Sequence, residues 1–354
     1  MMLKKRYFKF LGAMVLSTVL VTTVNAGIVK AATLDRLGGL DRYNTARQVA
    51  EGVFSQCENV ILVNGQGYAD AVSATPLAKK LNAPILLTEA DKLTSGVLNT
   101  IKKIGAKNVY IVGGEGVVKP SIESTLKSSG LKVNRYAKSG GNRYDTNAVV
   151  AKEVIKRTGA KKAILVNGQD GYSDALSVAS IAAKLEIPVL ISSSKKMDPE
   201  VKKVIDDSKL EVMAVGGAAV LPDTVIKSVN GKRVAQGKNR YKTNINVLNY
   251  FKSNLSFNKI YMASGGNDNV RNFADALVAS AAAAKEGSPL VLSGNSAGST
   301  DREASESFVR NNITKDSKIT LIGSTGVLSK EIENKMRKIA EYASEGDLEI
   351  IGIE

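Results

Sequence analysis

The sequence predicts an α/β protein made of three copies of one unit, each with a parallel β-sheet covered by helices on both faces. Two observations support this prediction. Short continuous apolar segments alternate with amphipathic helical segments, which is typical of strands buried in parallel sheets. The same order of segments also occurs three times along the 354 residues, together with three ordered sets of short motifs.

The first copy shows the alternation most fully. Strands are predicted at 59–63, 84–87 and 109–112, and helices with apolar residues on one stripe at 70–81, 95–104 and 120–126. The other two copies repeat the strands, at 163–166, 188–191 and 212–215 and then at 259–262, 289–292 and 319–322. No linker rich in proline or serine separates the copies, so we expect them to pack closely.

Short motifs recur in the same order in each copy. An Arg-Tyr-x-Thr motif stands at Arg42-Tyr43-Asn44-Thr45, Arg143-Tyr144-Asp145-Thr146 and Arg240-Tyr241-Lys242-Thr243. An aromatic-x-Asp-Ala motif follows, at Tyr68-Ala69-Asp70-Ala71, Tyr172-Ser173-Asp174-Ala175 and Phe273-Ala274-Asp275-Ala276. A proline comes 14 residues after each of these aspartates, at Pro84, Pro188 and Pro289. Glycine pairs then correspond, at Gly113-Gly114 and Gly216-Gly217, with Gly323-Ser324 in the third copy.

The two ends of the chain lie outside the repeats. A basic start, an apolar run at 10–24 and small residues before Ala32 are typical of a secretory signal peptide, so we expect cleavage near Ala32 and export. The expected division is therefore a signal peptide at 1–31, repeats at 32–134, 135–232 and 233–342, and a short tail at 343–354 with a strand at 348–353. No second apolar segment follows the first, so we expect no transmembrane segment after cleavage.

The charge of the chain points to anionic partners. The formal net charge is +15, and removing the five cations of residues 1–31 leaves +10. Wall polymers, lipid headgroups and nucleic acids would all attract such a protein. No cluster of arginine and lysine with interleaved aromatic residues occurs, so nucleic acid is the weakest of these partners.

The composition excludes several kinds of catalysis. Histidine is absent, which removes the usual zinc ligands and the usual base of serine and cysteine hydrolases. Cys57 is the only cysteine, and we interpret it as a small buried residue. We therefore expect no catalytic residues, no metal site and no cofactor.

The repeated polar residues are the candidate functional residues. Asp70, Asp174 and Asp275 each stand between a strand and the next helix, where a carboxylate either satisfies the first turn of the helix or binds a ligand at the carboxyl end of the sheet. The Arg42-Tyr43, Arg143-Tyr144 and Arg240-Tyr241 pairs offer donors for phosphate or carboxylate. The alternative is that each arginine pairs with a repeated aspartate or a neighbouring copy and holds the assembly together.

These motifs resemble those of the clostridial cell-wall-binding type 2 repeat family, from about Leu34 to Tyr342. The resemblance implies Toprim-like, Rossmann-like units packed as a triangle with pseudo-threefold symmetry. It also implies non-covalent binding of an anionic, teichoic-acid-like secondary polymer of the Gram-positive wall, with surface-layer proteins as further partners. The family motif falls on Arg42, Tyr43, Thr45 and Asp70, on Arg143, Tyr144, Thr146 and Asp174, and on Arg240, Tyr241, Thr243 and Asp275.

The third copy departs most from the pattern, because Phe273 replaces tyrosine, Ser324 replaces glycine, and the loop from 264 to 275 is longer. Two other functions stay open at this point. One is a wall-glycan hydrolase that uses paired carboxylates. The other is a structural component of a surface layer. Triplication favours polymer binding, because linked weak sites add avidity whereas catalysis needs one site.

Overall fold

A computed structural model describes residues 31–169, 172–266 and 273–345. Residues 1–30 of the expected signal peptide at 1–31 lie outside the described residues, as does the expected strand at 348–353. Within the described part of the chain, no helix is both long and apolar enough to cross a membrane.

The strands and helices alternate along the chain, as the sequence predicts. The strands are β1 (Thr33–Leu37), β2 (Asn59–Asn64), β3 (Ile85–Thr88), β4 (Asn108–Val112), β5 (Lys132–Tyr136), β6 (Lys162–Asn167), β7 (Val189–Ser192), β8 (Glu211–Val215), β9 (Lys232–Ala235), β10 (Lys259–Ser264), β11 (Leu290–Ser293) and β12 (Lys318–Ile322). The helices are α1 (Arg42–Val53), α2 (Ala69–Leu81), α3 (Val97–Lys103), α4 (Pro120–Ser128), α5 (Arg143–Thr158), α6 (Tyr172–Lys184), α7 (Pro199–Ser208), α8 (Asp223–Lys227), α9 (Arg240–Tyr250), α10 (Ala274–Glu286), α11 (Ser299–Arg310) and α12 (Lys330–Glu345), with a 3₁₀ turn at Lys252–Asn254.

The strands form three sheets of four parallel strands each, which confirms the predicted fold class. Their orders are β3-β2-β4-β5, β7-β6-β8-β9 and β1-β12-β10-β11. In each sheet the two inner strands are almost entirely buried, because helices cover both faces. We call the sheets, with their helices, the first, second and third unit.

Strands β1, β5 and β9 were not predicted from the sequence. Each lies at the edge of its sheet and carries charged or polar residues, so it has no continuous apolar run. The expected repeat boundaries after residues 134 and 232 fall inside β5 and β9.

Strand β1 belongs to the third unit although it begins the described chain. Thr33 pairs with Lys318 and Leu37 with Ile322, so the edge of the third sheet comes from the N-terminal segment. The backbone N–H of Ala32 also donates a hydrogen bond to the Ser344 hydroxyl in α12, at 2.8 Å. The third unit therefore needs both ends of the described chain.

Three helices at the centre hold the units together. Helices α2, α6 and α10 contact one another pairwise, and their small residues allow close approach. The hydroxyls of Thr75 and Ser280 lie 2.9 Å apart between the first and third units. Each helix that begins with the Arg-Tyr-x-Thr motif packs against the central helix of the preceding unit: α5 against α2, α9 against α6 and α1 against α10. This cyclic order is the predicted pseudo-threefold arrangement.

Candidate binding sites at the unit junctions

The three repeated aspartates occupy equivalent positions in the central helices. Asp70, Asp174 and Asp275 lie in the first turns of α2, α6 and α10, the helices that follow inner strands β2, β6 and β10 along the chain. Because the N-terminal ends of these helices carry partial positive charge, the position suits a carboxylate. The expected first-turn placement is confirmed.

The three repeated arginines hold loops of their own units. Through Nη1, Arg42 donates to the carbonyl of Gly65 and Arg143 to that of Gly168, both at 2.7 Å. Arg240 donates in the same way to the Gly265 carbonyl, at 2.9 Å. Each of these glycines follows the first inner strand of its unit, so each arginine fixes the loop that leads to the aspartate.

Each arginine also lies close enough to the aspartate of the preceding unit for its charge to act on the carboxyl group. The positive charge of Arg143 acts on Asp70, that of Arg240 on Asp174, and that of Arg42 on Asp275. The Arg-Tyr-x-Thr motif of one unit and the aromatic-x-Asp-Ala motif of the preceding unit therefore come together across a junction between units and not within one copy. The sequence left this pairing open as the structural alternative.

Burial makes these carboxyl groups unusual. Desolvation raises the pKa of Asp70 to about 6, and the charge of Arg143 opposes that rise. Desolvation likewise raises the pKa of Asp275 to about 6, against hydrogen bonding by Thr45 and the charge of Arg42. The pKa of Asp174 is raised by the same cause, opposed first by hydrogen bonding from Thr243. The motif threonines thus accompany the arginines at the aspartates of the second and third units.

A glycine abuts each aspartate from the neighbouring inner strand. A Cβ on Gly113 would lie 3.0 Å from Asp70 Oδ2. The corresponding distances are 2.6 Å from Gly216 to Asp174 Oδ2 and 2.7 Å from Gly323 to Asp275 Oδ2. The φ angles of these glycines, +131°, +124° and +121°, also disfavour any side chain. The first glycine of the pair is thus required by the aspartate as well as by the turn.

A second triplet of arginines supports these glycines and was missed in the sequence. Arg135 donates to the Gly113 carbonyl at 2.8 Å, Arg36 donates to the Gly323 carbonyl at 2.7 Å, and Arg233 donates to the Gly216 carbonyl. All three lie on the edge strands and pair with acids, Glu123, Glu333 and Asp223 respectively. Their repetition at steps of 99 and 98 residues was a signal that could have found them.

The repeated tyrosines pack beside the arginine-bound loops. A Cβ on Gly65 would lie 2.7 Å from the Tyr43 ring, and one on Gly265 would lie equally close to the Tyr241 ring. The Tyr241 hydroxyl donates to the Gly266 carbonyl at 3.0 Å, and the Tyr144 hydroxyl lies 3.2 Å from Gln169 Oε1. None of the three tyrosines is among the described residues that line the pocket between the first and second units or the pocket between the third and first units.

Two pockets open at the junctions. The pocket between the first and second units, about 560 Å³ in volume, is lined by Asp70, Arg143 and Thr146 among others. The pocket between the third and first units, about 250 Å³, is lined by Asp275, Arg42 and Thr45 among others. We call them the first-second pocket and the third-first pocket. Among the described residues, no group of three or more acids or cysteines is placed to hold a metal ion.

Comparisons with known proteins agree with this architecture. The sequence profile of a family described as "Cell wall binding domain 2 (CWB2)" matches residues 36–123, 138–226 and 234–333. The chain is similar to Cwp8 from Clostridium difficile, with a TM-score of 0.74 and 29% identity over 88% of this chain and 52% of that one. It is also similar to Cwp6 from the same organism, with a TM-score of 0.74 and 26% identity over 86% and 48% of the two chains.

Two curated proteins of Bacillus subtilis (strain 168) are similar in sequence. The one named N-acetylmuramoyl-L-alanine amidase LytC is 33% identical over 306 residues, which cover 86% of this chain and 58% of that protein. The one named Amidase enhancer is 33% identical over 313 residues, which cover 86% of this chain and 40% of that protein. The chain therefore spans about half the length of the relatives that it matches.

Proposed function

Because the chain belongs to the cell wall binding domain 2 family, we propose that it attaches non-covalently to the Gram-positive cell wall by binding an anionic polymer of the wall. The proposed site residues are the arginines and aspartates of the three junctions, with the motif tyrosines supporting the loops beside them: Arg42, Tyr43, Asp70, Arg143, Tyr144, Asp174, Arg240, Tyr241 and Asp275.

The observation that carries this proposal is that an arginine and an aspartate from different units line the same open pocket at two of the junctions. The arginine provides planar donors for a phosphate or carboxylate group. The aspartate provides an acceptor for a sugar hydroxyl. A polymer that carries both groups in each repeating unit matches this pair of side chains.

Charge and location support the same function. An exported protein with a mature net charge of +10 is attracted over long range to an anionic wall. Junctions linked within one chain also raise the local concentration of polymer at each other, so several weak contacts hold the protein firmly. We propose that the protein is secreted and retained at the cell surface in this way.

The same residues do not favour hydrolysis. A glycosidase of the usual kind needs two carboxyl groups on either side of the bond that is cleaved. Asp70 is the one carboxyl group among the described residues that line the first-second pocket. The third-first pocket is lined by Asp275 and Asp41, but Asp41 caps α1 by accepting a hydrogen bond from the Asn44 N–H. The absence of histidine removes the common zinc and serine mechanisms. We propose that the chain binds the wall without cleaving it.

A binding experiment on purified walls tests the function. Wild-type protein should bind intact walls, lose binding when the secondary polymer is chemically stripped, and regain it when the polymer is restored. Arg143→Ala should elute at lower salt than wild type, because one charge-assisted contact is lost. Lys203→Ala removes an exposed positive charge from α7, so it controls for net charge alone. Equal binding of wild type to stripped and intact walls would contradict the proposal.

A further inference from the structure

The first-second pocket receives side chains from all three units. Tyr68 and Asp70 come from the first unit, Arg143 and Gln169 from the second, and Phe273 from the third. Its volume of about 560 Å³ falls within the range of about 300–1,000 Å³ that is typical of small-molecule sites. The third-first pocket, at about 250 Å³, falls below that range.

An aromatic ring faces the first-second pocket. Tyr68 lines it and is partly exposed, whereas the hydroxyl oxygen of Tyr68 is buried. A tyrosine at a protein surface usually keeps its hydroxyl in water, whereas the exposed part of Tyr68 excludes its hydroxyl and lies in the rest of the residue. The Phe273 ring packs edge-on against Tyr68, with 6.0 Å between the ring centroids and 71° between the planes. The ring of Tyr68 is thus a supported apolar surface.

Polar groups surround that ring. Arg143 is exposed, and its position is fixed by the hydrogen bond to the Gly168 carbonyl. Tyr68 is also the N-cap residue of α2 and provides no side-chain cap, and Ala69 and Asp70 of the first turn line the pocket. The arginine favours a negative charge on its side of the ring, whereas the Asp70 carboxyl group occupies the end of the helix.

The third-first pocket differs in these features although pseudo-symmetry relates the two. Arg42 is half-buried, and its Cζ lies 5.6 Å from the centroid of the Phe273 ring, in a cation–π contact. No aromatic ring is among the described residues that line this pocket, whose rim instead carries the fully exposed Leu40. The two junctions have therefore diverged.

We infer that the first-second pocket is the main sugar-binding site of the chain, where a sugar residue that carries an anionic group places its ring on Tyr68 and its charge beside Arg143. Asp70 accepts a hydrogen bond from a hydroxyl of the same sugar. A sugar ring has an apolar face of C–H groups that packs on an aromatic ring, which explains why Tyr68 turns its hydroxyl inward. This inference rests on the proposed function, and it makes the other two junctions weaker contacts for the same polymer.

Calorimetry and saturation-transfer NMR with the full mature chain test this inference. The probe is a set of short oligosaccharides released by mild acid from the wall polymer of the producing bacterium. We expect Arg143→Ala to bind at least tenfold more weakly, and Tyr68→Leu five- to tenfold more weakly with loss of saturation transfer to the ring protons of the sugar. Tyr68→Phe should bind within twofold of wild type, because it keeps the ring.

Arg42→Ala and Arg240→Ala remove the pseudo-equivalent arginines of the weaker junctions and their equivalent hydrogen bonds to glycine carbonyls, so each should lose less oligosaccharide affinity than Arg143→Ala. The control outside the proposed site is Lys203→Ala, which should bind the oligosaccharides within twofold of wild type. Equal losses for all three arginine variants, or wild-type affinity and saturation transfer in Tyr68→Leu, would overturn the inference while leaving wall binding in place. If wild type bound neither the oligosaccharides nor intact walls, the proposed function itself would fall, and the inference with it.

Discussion

Asp70 in α2 and Arg143 in α5 line the same pocket although they belong to different units, and the charge of Arg143 acts on the Asp70 carboxyl group. The charge of Arg240 acts in the same way on Asp174, and that of Arg42 on Asp275. A residue of the proposed site is therefore also a residue at which two units meet. An isolated repeat contains both motifs but cannot bring them together, so the proposed site requires neighbouring copies.

The raised pKa of Asp70 predicts a stability change with a defined sign. The native state binds a proton below about pH 6, whereas the unfolded chain binds it only near its ordinary pKa of 3.8. This carboxyl group therefore lowers stability at neutral pH, and its penalty disappears as the pH falls from 6 towards 4. Asp70→Asn removes the charge, so we expect it to stabilise the fold by about 1–2 kcal/mol at pH 7.5, a value reduced from the full shift for partial exposure.

Denaturant unfolding of wild type and Asp70→Asn at pH 7.5, 6 and 4 measures this difference. The excess stability of the variant should shrink below pH 6 and be small by pH 4. Asp145→Asn is the control with the opposite sign, because hydrogen bonding to Asn142 and Lys138 lowers the pKa of Asp145 and completes a capping box. A destabilised Asp70→Asn at pH 7.5 would show that the attraction to Arg143 outweighs desolvation.

The two glycines at the end of β4 test whether this turn needs glycine because space is lacking or only because glycine is flexible. A Cβ on Gly113 would lie 2.8 Å from Val117 Cγ2 and 3.0 Å from Asp70 Oδ2, at a φ of +131°. We expect Gly113→Ala to cost about 2–4 kcal/mol of unfolding free energy, from steric contact and backbone strain together.

Gly114→Ala is the matched control, because a Cβ there would meet no atom within 4 Å. It should change the unfolding free energy by less than about 0.5 kcal/mol. The third unit carries Ser324 at the corresponding position, which supports this expectation. Thermal unfolding of both variants checks it, and equal costs would mean that Asp70 does not constrain this turn.

The sequence predicted the inner strands well because their signal is strong. Residues 60–63, for example, form an unbroken apolar run that is buried on both faces of the sheet. It could not predict β1, because residues Thr33–Leu37 have polar and charged side chains, and their partner strand lies nearly 300 residues away. Strand propensity depends on the residues of one segment, whereas a polar edge strand forms because it hydrogen-bonds to the strand beside it.

The candidate site was predictable as a set of residues but not as a geometry. Repetition picked out Arg143 and Asp70, but it left open whether each arginine meets an aspartate of its own copy or of a neighbouring one. The edge-strand arginines escaped notice because Arg36, Arg135 and Arg233 precede the motif arginines by 6, 8 and 7 residues, so they share no fixed spacing with the motif. Tyr68 is a candidate for ligand contact because Phe273 of the third unit packs beside it, and this contact is not visible in the sequence.

A buried asparagine distinguishes the second and third units from the first. Asn147 is fully buried, donates to the Val189 carbonyl and to the Ser73 hydroxyl, both at 2.8 Å, and accepts from the Ile191 N–H at 3.1 Å. The first unit has Ala46 at the equivalent position. We expect Asn147→Ala to destabilise the fold by about 2–4 kcal/mol, since it leaves two backbone groups of β7 and the hydroxyl of Ser73 without these bonds.

Chemical denaturation and hydrogen exchange of β7 measure this effect. Asn246→Ala is a suitable control, because that exposed side chain on α9 makes a single bond to the Gln236 carbonyl. It should cost less than about 1 kcal/mol. Unchanged protection of the Ile191 amide in Asn147→Ala would contradict the assignment.

Strand β1 makes the third unit depend on the start of the described chain. A protein that begins at Gly38 lacks one of the two parallel partners of β12, the bond from Ala32 to Ser344, and the ion pair of Arg36 with Glu333 at 2.9 Å. We expect this protein to lose hydrogen-exchange protection first in β12 and α12, while β6 and β8 of the second unit stay protected. A protein that begins at Ala32 is the control and should keep its hydrogen-exchange protection in all of these elements.

Arg36→Met keeps the strand but removes the ion pair, so it should cost only about 1–3 kcal/mol of unfolding free energy, since Lys330 still neutralises Glu333. The shortened protein should also bind walls less well, because the segment that leads to Arg42 at the start of α1 loses its attachment to the third sheet. If β12 kept its protection without β1, the third sheet would be stable with three strands, and the N-terminal segment would not be needed to complete the ring of units.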